Sequence, residues 1–114
     1  MTIRNATRDT VLGDQIAVAD TSMTRLVGLL GKRGLETGEG LLLVPSQAVH
    51  TVAMRFAIDV VFVDRKWRVI HLSPAVAPFR MTGLHWKARS VLELPAGVIA
   101  QTSTSIGDEL SIED

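Results

Sequence analysis

The chain has 114 residues, no cysteine, an apolar share of 46% and twelve basic against twelve acidic residues. That length suits one domain spanning 1–114 with a single core, and the missing cysteine excludes disulfides, thiol catalysis and thiolate metal sites. No apolar run approaches the roughly 18 residues of a membrane span, and Met1–Thr10 lacks the continuous apolar stretch of a signal peptide, so a soluble, cytoplasmic protein is expected.

Taken in chain order, Val11–Ala19 reads as a hairpin turning at Gly13-Asp14. Thr21 or Ser22 can cap a helix over about 22–31, whose Met23, Leu26, Val27, Leu29 and Leu30 share one broad face and whose end is marked by Gly31. A loop from Gly34 to Gly40 leads to Leu41–Val44, a short buried strand stopped by Pro45. Ala48–Val52 reads as extended. Residues 58–63 are apolar on both faces except at Asp59, the pattern of a central strand covered on both sides. Asp64-Arg65-Lys66 is a turn, and Trp67–Val76 returns as the second arm of that hairpin. A loop over 78–87 precedes a strand at Arg89–Leu94, stopped by Pro95-Ala96-Gly97. A helical turn fits 98–103, and Ile106–Ile112 reads as a turn into a last strand. Many short strands and one main helix predict a mostly-β (α+β) fold, a β-sandwich or partly open barrel.

The charges are unevenly placed. Residues 55–89 hold seven basic groups against Asp59 and Asp64, whereas 90–114 hold five acidic groups and no basic one. The simplest expectation is that these segments lie side by side, because a neutral whole argues against general nucleic-acid affinity. The 79–89 loop mixes Arg80, Lys87 and Arg89 with Trp86, a combination able to stack on and neutralise an anion, but no RNA-binding fold motif accompanies it.

Asp59 is the sharpest candidate for chemistry. A carboxylate in an apolar run needs an arginine partner, backbone N–H donors, or a functional reason to sit desolvated as an acid or base. His50 and Thr51 precede that run, where a strand end could present them at a cleft. Glu93 lies between Leu92 and Leu94, and strand alternation alone does not say whether it faces solvent or the same cleft as Asp59. His50, His71 and His85 show neither i,i+3 nor i,i+4 clustering. A metal site from His50, Asp59 and Glu93 would need tertiary assembly, so no metal or cofactor is expected. Ser46, Ser73 and Ser90 lack a nucleophile-elbow context, and neither Gly38-Glu39-Gly40 nor Pro95-Ala96-Gly97 is a phosphate loop.

Several of these stretches recur together in a known order. Arg25–Leu30, Gly40–Leu43, His50-Thr51 with Met54, Ile58–Asp64, Pro78–Arg80, Val91–Gly97 and Gly107-Asp108 run from about Ala19 to Leu110. In that order and spacing the chain resembles the family called domain of unknown function 192. The resemblance implies a mostly-β domain with a small helical portion and carries no established activity, cofactor or substrate. Members often bear an N-terminal signal sequence, and none is expected here from the reading of Met1–Thr10. The family's recurring polar positions fall here on His50, Thr51, Asp59, Arg80 and Glu93.

These readings lead to a small binding or accessory domain for an unknown small molecule or protein. Its expected site is a polar cleft near His50, Thr51, Asp59 and Glu93, with Arg80 meeting an anionic group. The rivals are a small hydrolase using Asp59 or Glu93 with His50 as acid–base groups, and a structural or protein-interaction module. Convergence of His50, Asp59 and Glu93 in an open pocket is the geometry that separates the first two from the third.

Overall fold

The computed structural model describes residues 1–21, 24–25, 29, 32–51 and 54–113. Its strands are β1 (Thr2–Asn5), β2 (Thr10–Gly13), β3 (Gln15–Ala19), β4 (Glu39–Leu43), β5 (Ile58–Val63), β6 (Val69–Val76), β7 (Ser90–Pro95) and β8 (Leu110–Glu113), with a short helix α1 (Val98–Gln101) between β7 and β8. They form a three-stranded sheet in the order β2-β1-β8 and a five-stranded sheet in the order β3-β4-β7-β5-β6. Both sheets are open, so the mostly-β expectation holds in its sandwich form.

The hairpin expected over Val11–Ala19 does not form. β2 pairs with β1 in the small sheet, whereas β3 runs parallel to β4 in the large one. Gly13 is a crossing point between sheets, not a turn residue. A Cβ there would stand 2.6 Å from the Ile16 side chain and 2.8 Å from the Gly38 carbonyl oxygen, and that carbonyl accepts the Gln15 N–H at 2.8 Å. The competing partner is β1, which buries Ile3 and Asn5 and has too little apolar character to announce itself.

The expected hairpin of 58–63 with Trp67–Val76 does form, as β5 and β6 in antiparallel register. Asp64 closes it by accepting the Lys66 and Arg68 amides through Oδ1 at 2.9 and 3.0 Å. Every residue of β5 is buried, because β7 and β6 flank it and both sheet faces are covered. The helix expected over 22–31 falls mainly outside the described residues. Within it, Thr24 and Arg25 are helical. Thr21 caps them reciprocally, its Oγ1 accepting the Thr24 N–H at 3.1 Å while Thr24 Oγ1 accepts the Thr21 N–H at 3.0 Å.

Instead of one core, the large sheet separates two. On the first face Leu42, Val61, Val63, Leu92 and Leu94 pack against Ile3, Leu12 and Leu110 of the small sheet and against Val98 and Ile99 of α1. On the second face Leu41, Leu43, Ile58, Val60, Phe62 and Val91 pack against Leu29, Val49, Met54 and Ala88 from the connecting segments. The period-two alternation of strands assigns each residue to one layer or the other.

Candidate functional site

Asp59 belongs to the first face. It is 1% exposed and its carboxylate is saturated by backbone donors. Oδ2 accepts the Gly97 and Ile99 N–H groups at 3.1 and 2.9 Å, and Oδ1 accepts the Ala75 N–H at 2.9 Å. The first two are orphan donors at the start of α1, where Gly97 takes a left-handed conformation at φ 101° and supplies no side-chain cap. The third belongs to a bulge, where the register slips between Ile58 and Val60 and Ala75 sits at φ 49°. Asp59 therefore ties a helix start and an irregular strand to the middle of the sheet.

Glu93 lies on the second face. Its cross-strand neighbours are Leu41 on β4 and Val60 on β5, both apolar. The residue is 2% exposed, and its Oε1 is the buried side-chain atom without a hydrogen-bond partner among the described residues. Burial pushes its carboxyl up to about 7, because the ionised form loses its hydration there.

Thr51 is fully buried and locks two loops together. Its Oγ1 donates to the Ala77 carbonyl at 2.6 Å and accepts the Arg80 N–H at 2.8 Å. Its own N–H donates to the Arg80 carbonyl, and its carbonyl accepts the Phe79 N–H. The same ribbon continues through Thr82 N–H to the Val49 carbonyl and His85 N–H to the Gln47 carbonyl, at 2.8 and 2.9 Å. His50 and Arg80 are exposed on it, His50 bridging to Met81. The five sequence-predicted residues thus separate into two braces (Thr51 and Asp59), two surface groups (His50 and Arg80) and one buried acid. Asp59 and Glu93 do not share a cleft; the sheet stands between them.

Two features were not assembled by the sequence reading. His71 and His85 stack with ring centroids 4.0 Å apart, and both rings pack on Phe62. Burial, followed by the neighbouring His71, lowers the His85 imidazole below its usual range. The pairing arises because His71 lies opposite Phe62 in the β5–β6 register. Among the described residues no three His, Asp or Glu side chains are grouped to hold a metal.

The second feature is a pocket of about 310 Å³ lined by Ser46, Gln47, Arg65, Trp86, Lys87 and Arg89, with Pro45 and Ala88. Register explains it. Leu43 pairs with Val91 and Val63 with Ser90, so the ends of β4 and β5 and the start of β7 meet at one end of the large sheet. The Arg89 N–H donates to the Val63 carbonyl and the Ser46 N–H to the Arg89 carbonyl, at 2.8 and 3.1 Å. Gln47 Nε2 donates to the Trp86 carbonyl at 2.7 Å, and Lys87 Nζ stands 5.5 Å from the centre of the Trp86 ring. Among the described residues no carboxylate lines this pocket, and no ion pair uses Arg65, Lys87 or Arg89. The cluster of bases in 55–89 was the sequence signal; the sheet end that gathers three of them was not legible.

Known proteins share this architecture. A structure of a protein of unknown function from Novosphingobium aromaticivorans superposes with a TM-score of 0.84 at 21% identity, covering 97% of this chain and 82% of that one. One from Sinorhizobium meliloti, described as a candidate transcription regulator, gives 0.83 at 19% identity, covering 96% and 89%. At such identities the likeness is one of fold. In sequence the chain is 30% identical to a UPF0127 protein of Thermococcus sibiricus, over 96% of this chain and 73% of that protein. It is 28% identical to a UPF0127 protein of Pyrococcus furiosus, over 93% of each. Residues 2–112 match the profile of domain of unknown function 192, described as "Uncharacterized ACR". The chain belongs to that family.

Proposed function

We propose that the protein is a small binding domain that takes a compact phosphate- or carboxylate-bearing anion in the pocket at the β4/β5/β7 end of the large sheet. The observation that carries this reading is that Arg65, Lys87 and Arg89 line one concave surface on which no carboxylate stands among the described residues. Three cationic residues lining one pocket make it attractive to an anion, whose hydrogen-bond acceptors can engage the arginine forks. Ser46 and Gln47 add polar groups, and Trp86 offers a face for a planar ligand. In this reading Thr51 and Asp59 hold the frame, while His50 and Arg80 extend the polar surface along the adjoining ribbon. A cytoplasmic location is part of the proposal, supported by the absence of cysteine.

The test is a thermal-shift and calorimetric titration with phosphate, pyrophosphate, citrate and mononucleotides at low ionic strength. Binding raises the melting temperature because it acts on the folded state alone. Lys87→Gln with Arg89→Gln should remove the shift. An unresponsive wild type, or a response the double variant retains, defeats the reading.

One observation favours an enzyme as the second reading. Glu93, buried with no partner at Oε1 among the described residues and pushed up to about 7, suits a group that gives or takes a proton near neutral pH. A broad hydrolase screen in which folded Glu93→Gln matches wild type at every substrate removes it.

A further inference from the structure

The loop from Pro78 to Arg89 is amphipathic in the inverted sense. Its polar side chains Thr82 and His85 face the protein, Thr82 Oγ1 accepting the Val49 N–H at 2.9 Å and His85 packing on Phe62. Its large apolar side chains face outward: Phe79 is 67% exposed, Met81 77%, Leu84 69% and Trp86 71%. These are the four most exposed large apolar residues described; the next, Ile106, is at 64%. Apolar surface concentrated in this way marks a site of contact with something apolar.

The backbone holds this arrangement in place. Phe79 occupies the left-handed region at φ 60°, an unfavourable conformation for a side chain with a Cβ. Hydrogen bonds from the Phe79 and Arg80 amides to Thr51 keep it there. Strain and a buried threonine are thus used to present a phenylalanine ring to solvent. Between Pro78 and Arg89 there is no acidic residue, and Arg80, Lys87 and Arg89 are interleaved with the apolar groups.

We propose that this loop docks on an anionic phospholipid surface, with Phe79, Met81, Leu84 and Trp86 entering the headgroup and upper acyl region. Arg80, Lys87 and Arg89 would meet the lipid phosphates. The proposal rests on the anion pocket described above, the lipid headgroup being the anion it takes. Charge complementarity selects an anionic surface. The lipid source is favoured because four exposed apolar side chains and three cations share one short stretch without an acidic residue. A rigid protein partner would need a matched recess for each, whereas a bilayer interface accommodates them in any arrangement and favours Trp and basic residues. This is peripheral docking: among the described residues no helix is long and apolar enough to cross a membrane.

Co-sedimentation with phosphatidylglycerol-containing vesicles and with pure phosphatidylcholine vesicles tests it, alongside titration with inorganic phosphate. Wild type should bind the anionic vesicles at least roughly tenfold better than the neutral ones, and less well as salt rises. Phe79→Ser with Leu84→Ser, both solvent-facing changes, should abolish vesicle binding and leave phosphate binding intact. Failure of wild type to bind vesicles while still binding phosphate overturns lipid docking and spares the anion site; failure of both discards both. Vesicle binding that survives the double substitution, or capture by an acidic polypeptide without vesicle binding, also overturns the proposal.

Discussion

Asp59 and Glu93 stand on adjacent strands one step out of register: Asp59 pairs with Leu94 and Val60 with Glu93. That single step sends the two carboxyls into opposite cores. Asp59 meets three backbone N–H groups, and Glu93 meets leucine and valine. The same functional group is a brace on one face and, on the other, an acid whose Oε1 has no partner among the described residues, and the two should respond oppositely to substitution.

For Asp59, replacement by Asn puts an amide N–H₂ against at least one backbone donor. Asp59→Asn should lose about 2–3 kcal/mol of stability, the cost of breaking a charge-assisted buried hydrogen bond. Asp64→Asn keeps an acceptor for an exposed turn and should lose well under about 1 kcal/mol. Urea denaturation of both variants checks the contrast, and equal losses would refute the brace role.

For Glu93, the folded value of about 7 lies above the ordinary 4.5. Between those values the folded state binds more protons than the unfolded state. Its contribution is therefore complete below pH 4.5 and is lost as pH rises through about 7, amounting to roughly 3 kcal/mol. Glu93→Gln should abolish that decline and be the more stable protein at pH 8. His85 adds the opposite slope: its folded value lies below 6.5, so its contribution is present above 6.5 and lost as pH falls. The difference between wild type and Glu93→Gln across pH 4–9 isolates the acid.

Thr51→Val preserves shape but leaves the Arg80 N–H without its Oγ1 acceptor and the Ala77 carbonyl without its donor. A loss of about 1–3 kcal/mol is expected, with Thr51→Ser retaining most of the stability. Hydrogen exchange at the Arg80 amide should accelerate in Thr51→Val; unchanged protection there would show that Thr51 does not hold the loop.

A polar knot also joins the two ends of the chain. Asn5 Nδ2 donates to Asp108 Oδ2 at 2.9 Å, and Arg8 and the Ser105 amide donate to the same oxygen. Burial alone would raise the Asp108 carboxyl, but these bonds and the Arg8 charge outweigh it and hold it below its usual range. Its contribution is thus present above pH 3.8 and lost as pH falls through the lower folded value. Asn5→Ala should cost about 2–3 kcal/mol at neutral pH and move the acid-unfolding midpoint to higher pH. An unmoved midpoint would count against the knot.

Local pattern determined much of this protein. The doubly apolar run at 58–63, the Asp64 turn, the stop at Pro45 and the Thr21 cap all follow from residue types at short spacing, so the mostly-β class and the β5–β6 hairpin were legible. Tertiary structure decided what depends on pairing between distant segments. β1 took β2 away from β3, register assigned Asp59 and Glu93 to different layers, and the sheet end gathered Arg65 with Lys87 and Arg89. Alternation specifies which residues of a strand share a face, but only the partner strand specifies which core that face meets. For that reason the sequence by itself could identify Asp59 as a buried carboxylate needing a partner, and only the fold could show that its partners are backbone amides while Glu93 Oε1 finds none among the described residues.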